Sequence, residues 1–148
     1  MVCFVGLLVR PRCEPLDWFK NVKKIEELKK TVLVGASPNQ SRYAYLAATM
    51  LAEYNHDTVL LGIQKGEIGG NKILNIREKP AIENVDTITL YIGPQRQPEW
   101  YDYLLGLKPK RIIFNPGTEN EDFENRAEQQ GVEVLEACTL VMLRSRQY

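Results

Sequence analysis

The apolar positions of this chain become regular from residue 31 onward. Thr31-Val32-Leu33-Val34 is a short, β-branched run that follows Lys29-Lys30 and closes on Gly35. That is the pattern of a strand buried on both faces of a parallel sheet. Tyr43, Leu46, Ala47, Met50, Leu51 and Tyr54 then recur at helical spacing, which predicts an amphipathic helix with these six on its inner stripe. Asn55-His56 ends the helix, and a second strand is expected over 58–61. A Gly-rich connection (62–72) and an irregular stretch (73–84) lead to a third strand over 87–92. A helix is expected over 97–107, with Trp100, Tyr103, Leu104 and Leu107 inward. A fourth strand over 111–114, a helix over 118–130 and a fifth strand over 132–135 follow. The apolar tail 138–143 is expected to pack on the sheet edge.

Strands that alternate with helices pair in parallel, and right-handed crossovers place helices on both faces. The expected fold class is therefore α/β: a doubly wound, mainly parallel five-stranded sheet of order 3-2-1-4-5, Rossmann-like. This domain spans 30–148. Residues 1–29 read as an N-terminal extension, either disordered or a short helix in which Leu16, Phe19, Ile25 and Leu28 alternate with lysines. Whether that extension belongs to the native protein stays open. In doubly wound sheets ligands sit beyond the carboxyl ends of the strands, at the switch point beside strand one.

Composition narrows the class of partner. Nineteen basic and nineteen acidic side chains cancel, which removes the general attraction on which nucleic-acid binding rests. Cys3, Cys13 and Cys138 are an odd set without CxxC spacing, so neither a disulfide framework nor a zinc site is expected. The apolar run 2–9 is too short to span a bilayer and is followed by Arg10-Pro11-Arg12 rather than a cleavage site. The expectation is a cytoplasmic protein with a small-molecule partner, no nucleic acid and no membrane.

Chemistry concentrates in the loop Gly35-Ala36-Ser37-Pro38-Asn39-Gln40-Ser41-Arg42. Gly35 permits a sharp turn and space for a ligand oxygen. Ser37, Asn39 and Ser41 are candidate caps for the next helix, whose first N–H groups point towards any bound phosphate. That helix carries Arg42 and no acid until Glu53. The helix after strand four opens on Thr118-Glu119-Asn120-Glu121, a capping-box sequence, with Asp122 and Glu124 behind it. Its dipole is already complemented by carboxylates, so charge assigns a phosphate to the first helix.

A dinucleotide fingerprint is incomplete here. Ser37 and Gln40 stand where GxGxxG would have glycines, and strand two ends Leu60-Leu61-Gly62-Ile63 without the acid that grips an adenosine ribose. Lys65 and Lys72 follow instead. They suit a ligand with an extra phosphate, such as coenzyme A with its ribose 3′-phosphate, or NADP.

At this point the residues resemble the small stand-alone CoA-binding domain proteins, related to the N-terminal domain of the succinyl-CoA synthetase α subunit. The likeness is carried by Val34-Gly35-Ala36-Ser37-Pro38-Asn39, Arg42-Tyr43 and Phe114-Asn115-Pro116-Gly117-Thr118-Glu119-Asn120. Gly131-Val132 and Cys138-Thr139-Leu140-Val141-Met142 also agree. The resemblance implies a CoA pyrophosphate near Gly35, Ala36, Ser37 and Arg42, with Pro38 and Asn39 in the same loop. It implies adenine-side contacts from Gly62, Ile63 and Lys65, and a pantetheine path past Ile92, Gly93, Pro94, Asn115, Pro116 and Gly117. The chain departs from its relatives after strand two, where Gly62-Ile63 replaces a common Asn-Pro.

Catalysis finds little support in the residues. The synthetase relay needs a histidine on a separate domain, and the one histidine here, His56, precedes strand two at the edge opposite the ligand. A surface turn suits it better. Cys138 has no histidine partner to lower its pKa and is expected to be buried in the apolar tail. No metal site is expected. The reading is a non-catalytic CoA or acyl-CoA binding module. The alternatives are an NAD(P)-binding regulatory domain, or an interaction protein that kept the fold without the ligand. In the last case Trp100, Tyr101 and Tyr103 would supply a homodimer contact unless they are core and rim of one helix.

Overall fold

The computed structural model describes residues 29–148; the expectations for the N-terminal extension lie outside them. Seven strands form one sheet, β1 (Thr31–Val34), β2 (Thr58–Gly62), β3 (Glu67–Ile68), β4 (Asn71–Asn75), β5 (Thr87–Leu90), β6 (Arg111–Phe114) and β7 (Glu133–Glu136), in the order β3-β4-β2-β1-β5-β6-β7. Every pairing is parallel except the β3–β4 hairpin. The helices are α1 (Tyr43–Glu53), α2 (Tyr101–Gly106), α3 (Glu121–Gln129) and α4 (Thr139–Arg144).

The α/β class and the parallel sheet agree with the sequence reading, but the strand count and order do not. The five-stranded order 3-2-1-4-5 placed the strand beginning at Thr87 beyond strand two. In the structure that strand, β5, flanks β1 on its other side, with Thr31 opposite Thr87 and Val34 opposite Leu90. The position beyond β2 belongs to β4, with Leu60 opposite Ile73. The reason is local. Ile68 and Asn71 close a hairpin through Gly69 (φ +57°) and Gly70 (φ +85°), so the stretch read as a loop folds back and feeds a strand. The switch point therefore falls between β1 and β5.

Two cores form because consecutive strand residues face opposite ways. Val32 and Val34 pack with Ile88, Ile112, Leu104 and Phe123 under α2 and α3. Leu33 and Leu60 pack with Ala44, Ala47, Ala48 and Leu51 of α1 and with Leu140 and Leu143 of α4. Two helical expectations are corrected here. The buried stripe of α1 is Ala44, Ala47, Ala48 and Leu51, whereas Tyr43, Leu46 and Tyr54 are exposed. Small residues let α1 lie close on the sheet, and the bulky ones turn outward. The tail is not an edge segment but helix α4, packed beside α1 on the same face.

The expected helix over 97–107 starts later: a 3₁₀ turn at Pro94–Arg96 precedes it, Pro98 turns its opening residues into a second 3₁₀ turn, Pro98–Trp100, and α2 begins only at Tyr101. Trp100 and Tyr101 are buried in the core, and Tyr103 is partly buried with its hydroxyl on the Pro80 carbonyl (2.7 Å). They are core and rim of one element, not an exposed aromatic cluster. Among the described residues no helix is long and apolar enough to cross a membrane.

Candidate functional site

The carboxyl edge gathers the loops that follow β1, β2, β5 and β6, and the backbone of the first meets those of the second and third. Gly35 has φ +98°, and both its N–H and that of Ala36 donate to the Leu61 carbonyl (2.9 Å each). A Cβ on Gly35 would lie 2.9 Å from the Tyr91 carbonyl oxygen and 2.9 Å from Ile92 Cγ2. The glycine therefore admits the end of β5, and the space expected for a ligand oxygen is filled by protein. Gly62 serves β2 in the same way, since a Cβ there would come 2.3 Å from the Ala36 carbonyl oxygen. Gly66 lies against Pro38, and Ser37 Oγ donates to Gln64 Oε1 (3.2 Å). The loops after β1 and β2 are thus one packed unit.

Within the first loop the polar side chains bond one another rather than the helix. Asn39 Oδ1 accepts from the Ser41 amide (3.0 Å) and from Ser41 Oγ (2.7 Å), and Ser37 Oγ accepts from the Asn39 amide (3.3 Å). The expected caps Ser37, Asn39 and Ser41 are therefore not caps. The N-cap of α1 is Arg42, which makes no side-chain bond to the helix, and no acid occupies the first turn. Pro38, Asn39 and Arg42 are exposed.

The opposite holds for α3. Its N-cap is Asn120, whose Oδ1 accepts from the Phe123 amide (3.4 Å), while Glu124 Oε1 accepts from the Asn120 amide (3.1 Å). The capping box starts two residues later than the sequence spacing indicated. Glu121, Asp122 and Glu124 fill the first turn. Burial raises the Glu124 carboxyl above its ordinary value, and the nearby carboxylates of Glu136, Glu128 and Glu119 push the same way. The charge contrast between the two helix ends is as the sequence indicated.

Asn115 is 2% exposed and its side chain is fully engaged by the fold. Nδ2 donates to Thr89 Oγ1 (2.6 Å) and to the Leu90 carbonyl (2.9 Å), and Oδ1 accepts from the Thr139 amide (2.8 Å). It ties β5, β6 and α4 together, and leaves Pro116 and Gly117 as the exposed part of its loop. Gln97, which sequence reasoning passed over, is fully buried and clamps two loops through Nε2 to the carbonyls of Ile92 (3.0 Å) and Thr118 (2.7 Å). These bonds set the positions of Ile92, Gly93 and Pro94.

Beside the packed loops lies a cleft of about 560 Å³ between the β2–β3 connection and β4. It brings together Gly62, Ile63, Lys65 and Lys72 from the sequence reading, and adds Leu74 and Asn75 from the strand that reading missed. Ile63 and Leu74 are exposed apolar walls. Glu67 and Glu78 line the same cleft, so its charge is balanced rather than positive. The Gly69-Gly70 turn between β3 and β4 was the signal that would have located it.

His56 sits at the amino edge, opposite these loops, as expected, but it is not a solvated turn residue. It is half-buried edge-on to Tyr148 (ring centroids 4.8 Å apart). Cys138 is only partly buried, at the start of α4 next to Tyr91, rather than enclosed in the tail. Among the described residues no group of three or more His, Cys, Asp or Glu could hold a metal ion.

The family model for the CoA binding domain matches residues 29–144. The chain belongs to this family. A solved structure of an uncharacterized protein is 51% identical to this CoA-binding domain, covers 82% of this chain and 98% of its own, and superposes with a TM-score of 0.78. Two further structures share the fold. A protein from Thermus thermophilus is 19% identical, with 87% of this chain and 97% of that one covered (TM-score 0.71). A hypothetical protein from Pyrococcus horikoshii OT3 is 22% identical, with 86% and 90% covered (TM-score 0.70). No curated protein matches the chain.

Proposed function

We propose that this CoA-binding domain is a non-catalytic module that holds coenzyme A or an acyl-CoA along its carboxyl edge. The pyrophosphate rests on the loop 35–42 at the amino end of α1. The observation that carries this reading is the state of that helix end: Arg42 caps α1 without a side-chain bond and no acid stands in the first turn. Unpaired helix N–H groups with a cation beside them favour an anion. The rival helix end, on α3, is filled by Asn120 and three carboxylates.

The adenosine end lies in the cleft between Ile63 and Leu74, whose aliphatic walls suit the two faces of a purine. Lys65 and Lys72 stand at its margin for the 3′-phosphate, and Glu67 and Glu78 temper that attraction. The pantetheine arm runs across the β5 and β6 ends, past Ile92, Gly93, Pro94, Pro116 and Gly117. Asn115 supports this path from beneath. Catalysis is not part of the proposal, because His56 lies at the far edge of the sheet.

Thermal melts with CoA, dephospho-CoA, NADPH and NADH test the reading. CoA at ~100 times its Kd is expected to add about 2.7 kcal/mol of stability, and dephospho-CoA less. Lys65→Ala is expected to narrow the gap between those two. A shift with NADPH alone would replace CoA by a nicotinamide cofactor, and no shift with any of the four would leave an interaction protein.

A further inference from the structure

The helices on the two faces of the sheet meet solvent differently. On one face α3 buries Phe123 and Ala127 and turns Glu121, Asp122, Asn125, Arg126, Glu128 and Gln129 outward. That is an ordinary surface helix. On the other face α1 buries its alanines and Leu51, but of its 11 residues only Glu53 is charged. Its outer side is apolar: Tyr43 is 72% exposed, Leu46 and Tyr54 are 45% exposed, and Met50 is half-buried between them. Val141 on α4, which packs beside α1, is exposed as well. A helix apolar on both sides ordinarily has something over it.

Residues 43, 46, 50 and 54 are three and four positions apart, so they form one stripe along α1. A charge stands at each end of the stripe, Arg42 before the first turn and Glu53 in the last. Their spacing is close to three full turns, which puts them on the same side of the helix, ~16 Å apart. Both are exposed, and among the described residues neither has an ion pair. A second copy of α1 laid antiparallel sets Arg42 of each chain against Glu53 of the other, and Leu46 against Met50. One two-fold axis generates all of these contacts. A parallel pairing would instead set like charges together.

From this pattern we propose that the outer face of α1 is a homodimer interface. Two copies pack their α1 helices antiparallel through Tyr43, Leu46, Met50 and Tyr54, and Arg42–Glu53 pairs close both ends. A seam of one helix per chain is small for a specific interface, so the expected Kd is micromolar rather than nanomolar. The proposal does not depend on the cofactor reading. Arg42 also belongs to the loop proposed for the pyrophosphate, so the dimer is measured without CoA.

Sedimentation velocity of the full chain at rising concentration is the test. Wild type is expected to pass from monomer to dimer. Leu46→Glu is expected to raise the Kd at least tenfold with the far-UV circular dichroism unchanged. Arg42→Glu and Glu53→Arg are each expected to weaken the dimer, because each sets like charges together at both ends. An equimolar mixture of these two variants has opposite charges at both ends again and is expected to dimerise like wild type. Should Leu46→Glu not fold, the mixture decides alone. A chain that stays monomeric up to ~1 mM overturns the proposal, and leaves the face to residues 1–28 of the same chain or to another protein. A dimer that tolerates Leu46→Glu uses another surface and overturns it equally. So does a mixture that associates no better than either variant by itself.

Discussion

Single atoms decide the outcome at several positions. Gly62 leaves no room for a methyl group, because the Ala36 carbonyl is backbone and cannot swing away. Gly62→Ala is expected to cost about 3 kcal/mol, the upper end of overpacking penalties, seen as a lower urea midpoint. Asn115→Ala strands the Thr139 amide and the Leu90 carbonyl; each unpaired buried group costs roughly 1–3 kcal/mol, so a loss of about 3 kcal/mol is expected in the same assay. His56 gives a pH signature. Burial chiefly, then the charges of Lys29 and Arg111, lower its pKa below 6.5 in the folded protein. The unfolded chain therefore binds the proton more readily, and stability falls as pH drops from about 6.5 through the folded value. His56→Gln is expected to remove that part of the slope in urea denaturation at several pH values. Glu124 acts in the opposite sense at lower pH, since its folded pKa is raised, and the comparison of wild type with His56→Gln cancels it.

Elements show where the sequence was legible. The run Thr31-Val32-Leu33-Val34 and its counterparts in β2, β5 and β6 are wholly or almost wholly buried, and such strands announce themselves. β4 does not: of Asn71–Asn75 only Ile73 is buried, so its strand character comes from pairing with β2 and from the Gly69-Gly70 turn. The inner face of α1 was misread because alanines weigh little beside Tyr43 and Leu46 in a periodic pattern. The contrast between helix ends was legible because acids and caps are written in the chain, whereas the fit of Gly35 against β5 is a tertiary fact that no spacing reveals. At α1 the contrast yields a sharp expectation. Arg42→Asp supplies the missing cap and is expected to stabilise the protein by ~1 kcal/mol while weakening CoA at least tenfold, about 1.4 kcal/mol. Denaturation and calorimetric titration of the one variant check both halves.

Over the whole molecule, the sheet puts two chemistries at opposite ends of its strands. The carboxyl edge carries closely packed loops, a helix end without a side-chain cap, and a cleft of apolar walls and balanced charge. The amino edge carries a buried guanidinium, Arg111, with no ion pair among the described residues. The proposed function requires the first of these edges to accept a pyrophosphate. The most direct measurement is an amide NMR titration of the full chain with CoA. The expected result is saturable movement of the amides of residues 36–44, together with Ile63, Leu74 and Gly93, while Asn120 and Phe123 at the start of α3 stay still. Movement confined to α3 or to the amino edge, or no movement at all, would contradict it.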